Sequence, residues 1–227
     1  IPAHGHTNPT LGVVRELIKR GNKVWYYSFD MMREKIAETG AEFISCDKYA
    51  ESYFTPEDGV KISHDIGLSS KIIVDTTLAL DEHICQDMEK IKPDCIVADS
   101  MAFWGKAAIK LGISFVSSTT TFAFNRYSSK IMKQGFKETA SMLLSLPKAQ
   151  KQIKRLREKG YPVKTILDLI SNDNETDTIV YTSPSFQPCS ETFSDKYAFV
   201  GPSIRPTKNV IEKNWQKTHI YFHGHGK

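Results

Sequence analysis

The chain has 227 residues, 40% of them hydrophobic, enough for one large α/β domain or two small ones around a sizeable core, which excludes disorder as the default. A formal charge of +4, from 30 basic and 26 acidic residues scattered along the chain, leaves no nucleic-acid footprint. The cysteines at positions 46, 85, 95 and 189 lack CxxC spacing, no apolar run reaches the roughly 20 residues that span a bilayer, and the start lacks a signal-peptide pattern. The expectation is therefore a cytoplasmic protein with reduced thiols, and neither a zinc site nor a disulfide framework.

A helix is predicted from Pro9 to Arg20, because Leu11, Val14, Leu17 and Ile18 share a face and Gly21 supplies a left-handed cap. Lys23 to Ser28 then reads as a strand. The pattern repeats: Asp30 is placed to cap a helix through Glu38, Gly40 ends it, and Glu42 to Cys46 is a β-rich run. A longer helix is predicted over Ser70 to Lys90, where Ile73, Thr77, Leu80, Ile84 and Met88 recur every three or four residues. Cys95 to Ala98 is a buried-looking strand, residues 102 to 111 a helix closed by Gly112, and Ile113 to Ser117 the next strand.

Residues 121 to 175 read as mainly helical, with a basic stretch from Lys148 to Lys159 that carries Ala149, Ile153 and Leu156 on one face. A solvated helix on a core stripe is the plainer reading of that stretch; a membrane-surface role is the alternative. Strands return at Thr178 to Thr182 and Tyr197 to Val200, and the Gly- and Pro-containing segment after Gly201 ends the domain near Pro206. This alternation predicts an α/β domain with a doubly wound parallel sheet over residues 1–206, and a linker with a truncated or divergent second-domain start over 207–227.

Two places suit chemistry. In IPAHGHTNP, His6 precedes a predicted helix, in a loop at its N-terminus, a position that suits a neutral base. Asp99 follows the apolar run CIVA, so it belongs at the carboxyl end of a parallel strand, the edge where open α/β sheets collect ligands. The two fit a base and its orienting carboxylate; from spacing alone, a cap on the following helix is the commoner reading of such an aspartate. Ser100, and Ser118, Thr119, Thr120 and Phe122 of SSTTTFAF, suit an acceptor-site lining of small hydroxyls and an aromatic ring. Helix capping and core packing serve those residues equally well. No GxGxxG with an acidic residue about 20 positions on supports a nicotinamide site.

With these residues in view, PAHGHTNPTLGVVRELIKRGNKVWYYS resembles the opening of bacterial macrolide-type UDP-glycosyltransferases, which have the GT-B fold. The resemblance continues through GAEFISCD, DCIVADSMAFWGKAAIKLGISFVSSTTTF and YTSPSFQPCSETFSDKYAFVGPSI, covering most of residues 1 to 206 in the family's order. It implies that His6, of Gly5-His6-Thr7-Asn8-Pro9, is the catalytic base and Asp99 its partner. It also implies an inverting single displacement that needs no metal, no cofactor and no covalent intermediate, with the UDP-sugar as co-substrate. His4 takes a structural role in that pattern.

The resemblance departs at both ends. The family has a short apolar strand before the IPAHGH loop, whereas this chain starts at Ile1, so a preceding strand is expected. At the other end HIYFHGHGK replaces a segment resembling IYISLGT, and the half that would bind UDP does not follow. His219, His223 and His225 form a cluster too poor in carboxylate or thiolate to argue for a metal; truncation or an altered tail explains it better. The resemblance thus implies an acceptor-binding half, meeting a small-molecule hydroxyl acceptor such as a macrolide or flavonoid and, through a C-terminal domain, a UDP-hexose, with glucose expected. Alone, such a half is expected to transfer little. The alternatives are a non-catalytic acceptor-binding module or split enzyme, and a glycolipid-forming enzyme at a membrane.

Overall fold

The computed structural model describes residues 4–50, 66–128, 136–169 and 173–203. Two parallel sheets organise them. Strands β1 (Trp25–Ser28) and β2 (Glu42–Ser45) pair in parallel, with Trp25 opposite Glu42. Strands β3 (Cys95–Asp99), β4 (Ser114–Thr119), β5 (Thr178–Val180) and β6 (Tyr197–Phe199) form a parallel sheet in that order. The α/β class and parallel strands follow from the repeated unit of helix, glycine and strand. Gly21 and Gly40 sit at φ 86° and 89°, where a side chain is disfavoured, and each turns the chain from a helix toward the next strand.

Helix α1 (His4–Lys19) joins the two sheets: its Thr10 hydroxyl meets the Tyr26 hydroxyl of β1 at 2.7 Å, and its His6 reaches Asp99 of β3. Below it Leu11 and Val14 pack on Met32, Ile36 and Ala41. The main core lies under α4 (Ile66–Ile91), whose Ile73, Val74, Leu80, Ile84 and Met88 meet Phe29, Phe103 and Trp104, together with Ile153 and Leu156 of α6 (Phe136–Glu158). Three short α-helices lie among these elements: α2 (Arg33–Ala37), α3 (Asp47–Ala50) and α5 (Ala107–Lys110).

Several sequence expectations change. Helix α1 begins at His4 rather than Pro9, so His6 lies within the helix and not in a preceding loop. A proline six places into a helix removes only the one N–H that would bond back to the Gly5 carbonyl, so the helix continues through it. Asp30 does not cap the helix that follows; it opens a short 3₁₀ turn (Asp30–Met32), and its Oδ1 takes a 2.6 Å hydrogen bond from Arg33. Among the described residues after α6, helix in the 121–175 region is limited to a 3₁₀ turn at Ile166–Leu169, because Gly160, at φ 83°, ends α6.

Within α6, Ala149, Ile153 and Leu156 are buried, while Lys148, Lys151 and Lys154 are exposed. This is a solvated helix on a core stripe. No helix among the described residues is long and apolar enough to cross a membrane. The boundary near Pro206, the segment 207–227 and its histidines lie outside the described residues.

Candidate active site

The aspartate that ends β3 owes its position to close packing. After Asp99 the chain turns through Met101 and a 3₁₀ segment (Phe103–Lys106) that folds back on the strand. A Cβ at Gly105 would lie 2.1 Å from the Ala98 Cβ, so only glycine lets this turn sit so near β3. Gly105→Ala is expected to force the turn away and cost about 1–3 kcal/mol, read as a lower urea midpoint, with the Asp99 region shifted in amide NMR spectra. A parent-like midpoint would show that the turn relaxes freely.

Asp99 uses both oxygens. Its Oδ1 accepts the Met101 N–H at 2.8 Å, and its Oδ2 lies 2.9 Å from His6 Nδ1. It therefore holds the turn that follows β3 and partners the histidine, but it does not cap the 3₁₀ segment beyond, whose N-cap is Ala102 with no side-chain bond. The side chains retain 23% and 12% of their exposure, so the pair lies at the rim of the domain rather than in its core.

The pairing sets the proton's place. A carboxylate only accepts, so the proton between them belongs to Nδ1, and in the neutral ring Nε2 is left with its lone pair. The Thr120 hydroxyl closes a triangle, 3.1 Å from Nδ1 and 3.4 Å from Oδ2. It donates to Oδ2 while its oxygen shares the Nδ1 proton, so the ring's orientation is fixed from two directions.

The other residues chosen from sequence divide into two groups. Ser100 is partly exposed, with its N–H bonded to the Ser118 carbonyl at 2.9 Å. Phe122 is also partly exposed and lies against Phe186. Ser118 and Thr119, by contrast, are buried within β4, and the Ser118 hydroxyl donates to Tyr181 at 3.4 Å. His4 does not join Asp99; its Nδ1 lies 3.2 Å from Lys35 Nζ on the surface.

Two tyrosines that sequence reasoning missed flank the pair. Burial pushes the hydroxyls of Tyr26 and Tyr181 above the usual phenol range, and the negative charge of Asp99 pushes both in the same direction. Tyr181 was findable, since it directly follows β5 just as Thr120 follows β4, on the same carboxyl edge as Asp99. Tyr26 sits inside β1, and nothing in its neighbourhood along the chain marks it. Among the described residues no three His, Cys, Asp or Glu side chains converge as a metal would require.

This geometry meets independent comparisons. No family model matches the chain. The NDP-glycosyltransferase YjiC of Bacillus licheniformis is 30% identical over 213 residues, spanning 92% of this chain and 51% of the relative. Demethyllactenocin mycarosyltransferase of Streptomyces fradiae is 27% identical over 232 residues, spanning 96% of this chain and 48% of the relative. The crystal structure of the glycotransferase of kitacinnamycin superposes with a TM-score of 0.70 at 21% identity, over 93% of this chain and 52% of that one. The chain spans about half the length of the curated relatives it matches. In sequence and in fold it corresponds to the N-terminal half of bacterial UDP- and macrolide glycosyltransferases of the GT-B class.

Proposed function

We propose that this chain is the acceptor-binding half of an inverting, UDP-sugar-dependent glycosyltransferase that passes a hexose, glucose in the first instance, to a hydroxyl of a small molecule such as a macrolide or flavonoid. The observation that carries the reading is the 2.9 Å contact of His6 Nδ1 with Asp99, which leaves Nε2 as a base on the ligand-collecting edge of a parallel sheet. The acceptor hydroxyl gives its proton to Nε2 as its oxygen attacks the anomeric carbon. The bond from that carbon to the UDP oxygen breaks, UDP leaves with the electron pair, and configuration inverts. Asp99 offsets the charge of the imidazolium that forms, as the orienting carboxylate of a catalytic histidine does.

In this reading residues 1–206 form the acceptor domain. Ser100, Thr120 and Phe122 lie toward the acceptor, and the donor's nucleotide is held by the half of the enzyme that this chain does not span. The test is incubation of the chain joined to its donor-binding half with UDP-glucose and a panel of phenols and macrolides, reading product mass and anomeric configuration, with acceptor binding to the chain followed separately by calorimetry. An inverted glycoside of a bound acceptor is the expected product. A retained configuration, or no binding of any hydroxyl compound in the panel, would overturn the assignment.

A further inference from the structure

Helix α1 carries its histidine in its weakest stretch. The first turn of any helix has N–H groups with no partner inside it, and Pro9 takes a further bond away, the one that would reach back to the Gly5 carbonyl. Of that turn only Thr7 is buried; His4 and Gly5 are exposed, and a Cβ added at Gly5 would meet no described atom within 4 Å. Leu11 and Val14 anchor the helix further along. Yet His6 must meet a carboxylate 93 residues away, on β3, to within a hydrogen bond.

The polar tie nearest to that turn comes from β1. Thr10 Oγ1 lies 2.8 Å from the Thr7 carbonyl and 2.7 Å from the Tyr26 hydroxyl. A carbonyl only accepts, so the single Thr10 hydroxyl proton goes to Thr7, and the Tyr26 hydroxyl must donate to Thr10 Oγ1. The donors thus run one way, from Tyr26 through Thr10 to the carbonyl of the residue next to His6. Burial, helped by the Asp99 charge, holds the Tyr26 hydroxyl above the usual phenol range, so it keeps its proton and goes on donating. A phenylalanine at 26 would keep the ring that packs beside Leu11 and Val14 and remove only this donor.

We propose that Tyr26 is a positioning residue for the His6–Asp99 pair: through Thr10 it fixes the first turn of α1 against β1, and with it the ring of His6. Its value to catalysis rests on the function proposed above; its effect on the ring does not. When the turn shifts, the imidazole leaves Asp99, and a free neutral imidazole carries its proton on either nitrogen. The share of neutral rings protonated on Nε2 therefore measures how often the turn lets go.

Nitrogen NMR of the labelled imidazole reads that share in the full chain, without substrate. Tyr26→Phe is expected to raise it about fivefold, the effect of losing one ordinary hydrogen bond. Thr10→Val is expected to do the same, and the double variant to add nothing, because both substitutions break one path. Tyr27→Phe is the control: its hydroxyl, next along the strand, donates to Asp87 at 3.0 Å, so the variant loses a comparable bond of β1 away from the pair and is expected to keep the parent's share. With the donor-binding half present, Tyr26→Phe is expected to lower kcat about fivefold and to leave the acceptor KM unchanged. A parent-like share in both Tyr26→Phe and Thr10→Val, or an equal rise in Tyr27→Phe, would overturn the positioning role. A raised share together with turnover indifferent to His6→Ala would leave that role standing and sink the base assignment instead.

Discussion

Replacing His6 with alanine is expected to lower the turnover of the proposed sugar transfer, measured with the donor-binding half present, by about 1,000-fold, within the range a positioned general base contributes. The acceptor's binding constant is expected to change little, because Nε2 acts on the proton as it leaves and contributes little to ground-state affinity. Asp99→Asn is the sharper experiment. An asparagine Oδ1 can keep the Met101 N–H bond now made at 2.8 Å, so the local turn survives. Its amide, however, can set an N–H against Nδ1 in place of an acceptor. The ring then carries its proton on Nε2, the wrong atom for taking another.

Turnover of Asp99→Asn is therefore expected to fall by a similar factor, about 1,000-fold, with the acceptor KM nearly unchanged. Nitrogen NMR of the labelled imidazole reads the cause directly: the parent's proton on Nδ1, the variant's on Nε2. A variant that keeps full turnover, or a parent whose His6 is protonated on Nε2, would sink the base assignment. Thr120→Val is the milder companion. It removes the hydroxyl 3.1 Å from Nδ1 but leaves the carboxylate, so the tautomer is expected to persist while the ring loses one of its two restraints.

The His6–Asp99 pair also shows what a sequence exposes and what it hides. Asp99 was legible because a parallel strand exposes its last residue at one edge, and the run CIVA fixed where that strand ends. His6 was picked from its place beside a predicted helix N-terminus, the family resemblance strengthened its pairing with Asp99, and the two lie 2.9 Å apart. His6 itself was misplaced by a local rule: proline usually opens a helix, and here Pro9 sits inside one. The failure lies in treating a preference worth a few kcal/mol as a boundary, when the first turns of a helix have few bonds to lose.

The buried Gln187, which bonds both the N–H and the carbonyl of Ala123 through its amide, was invisible for a different reason. Its partner Ala123 lies 64 residues away and is bound through its backbone, so neither residue type nor spacing signals the contact. Thr120 was chosen for the site as a hydroxyl beside a strand end, yet whether that hydroxyl faces a ligand or the His6–Asp99 pair depends on one side-chain rotation that no periodicity encodes. Core stripes such as Ala149, Ile153 and Leu156 were legible throughout, since burial imposes a period and polar contacts do not.

Asp81 belongs to the second kind, and its removal carries the largest expected effect on stability. The helical pattern of α4 places it near the buried face, between Leu80 and Ile84, where a carboxylate is costly unless it is paired. It is paired three ways: Lys110 Nζ lies 2.9 and 3.1 Å from its two oxygens, the Tyr161 hydroxyl donates at 2.8 Å, and the Cys85 thiol lies at 3.8 Å. One side chain thus ties α4 to α5 and to the turn that follows α6. Burial and the bond to Asp81 both hold the Tyr161 hydroxyl far above the usual phenol range, so it remains a donor at any working pH.

Asp81→Ala removes the acceptor and leaves an ammonium and a buried hydroxyl without it, an arrangement expected to cost about 3–5 kcal/mol. Tyr161→Phe, which leaves the Lys110 pair intact, is expected to cost about 1 kcal/mol. The double variant is expected to lose less than the sum, because a phenylalanine has no hydroxyl to strand once the carboxylate is gone. Urea denaturation of the parent and the three variants measures all of these from midpoints at equal slope. Strict additivity would show that Tyr161 and Asp81 do not act together. An Asp81→Ala loss below about 1 kcal/mol would place the Lys110 pair among ordinary surface ion pairs, and the junction of the three segments would then rest on apolar packing alone.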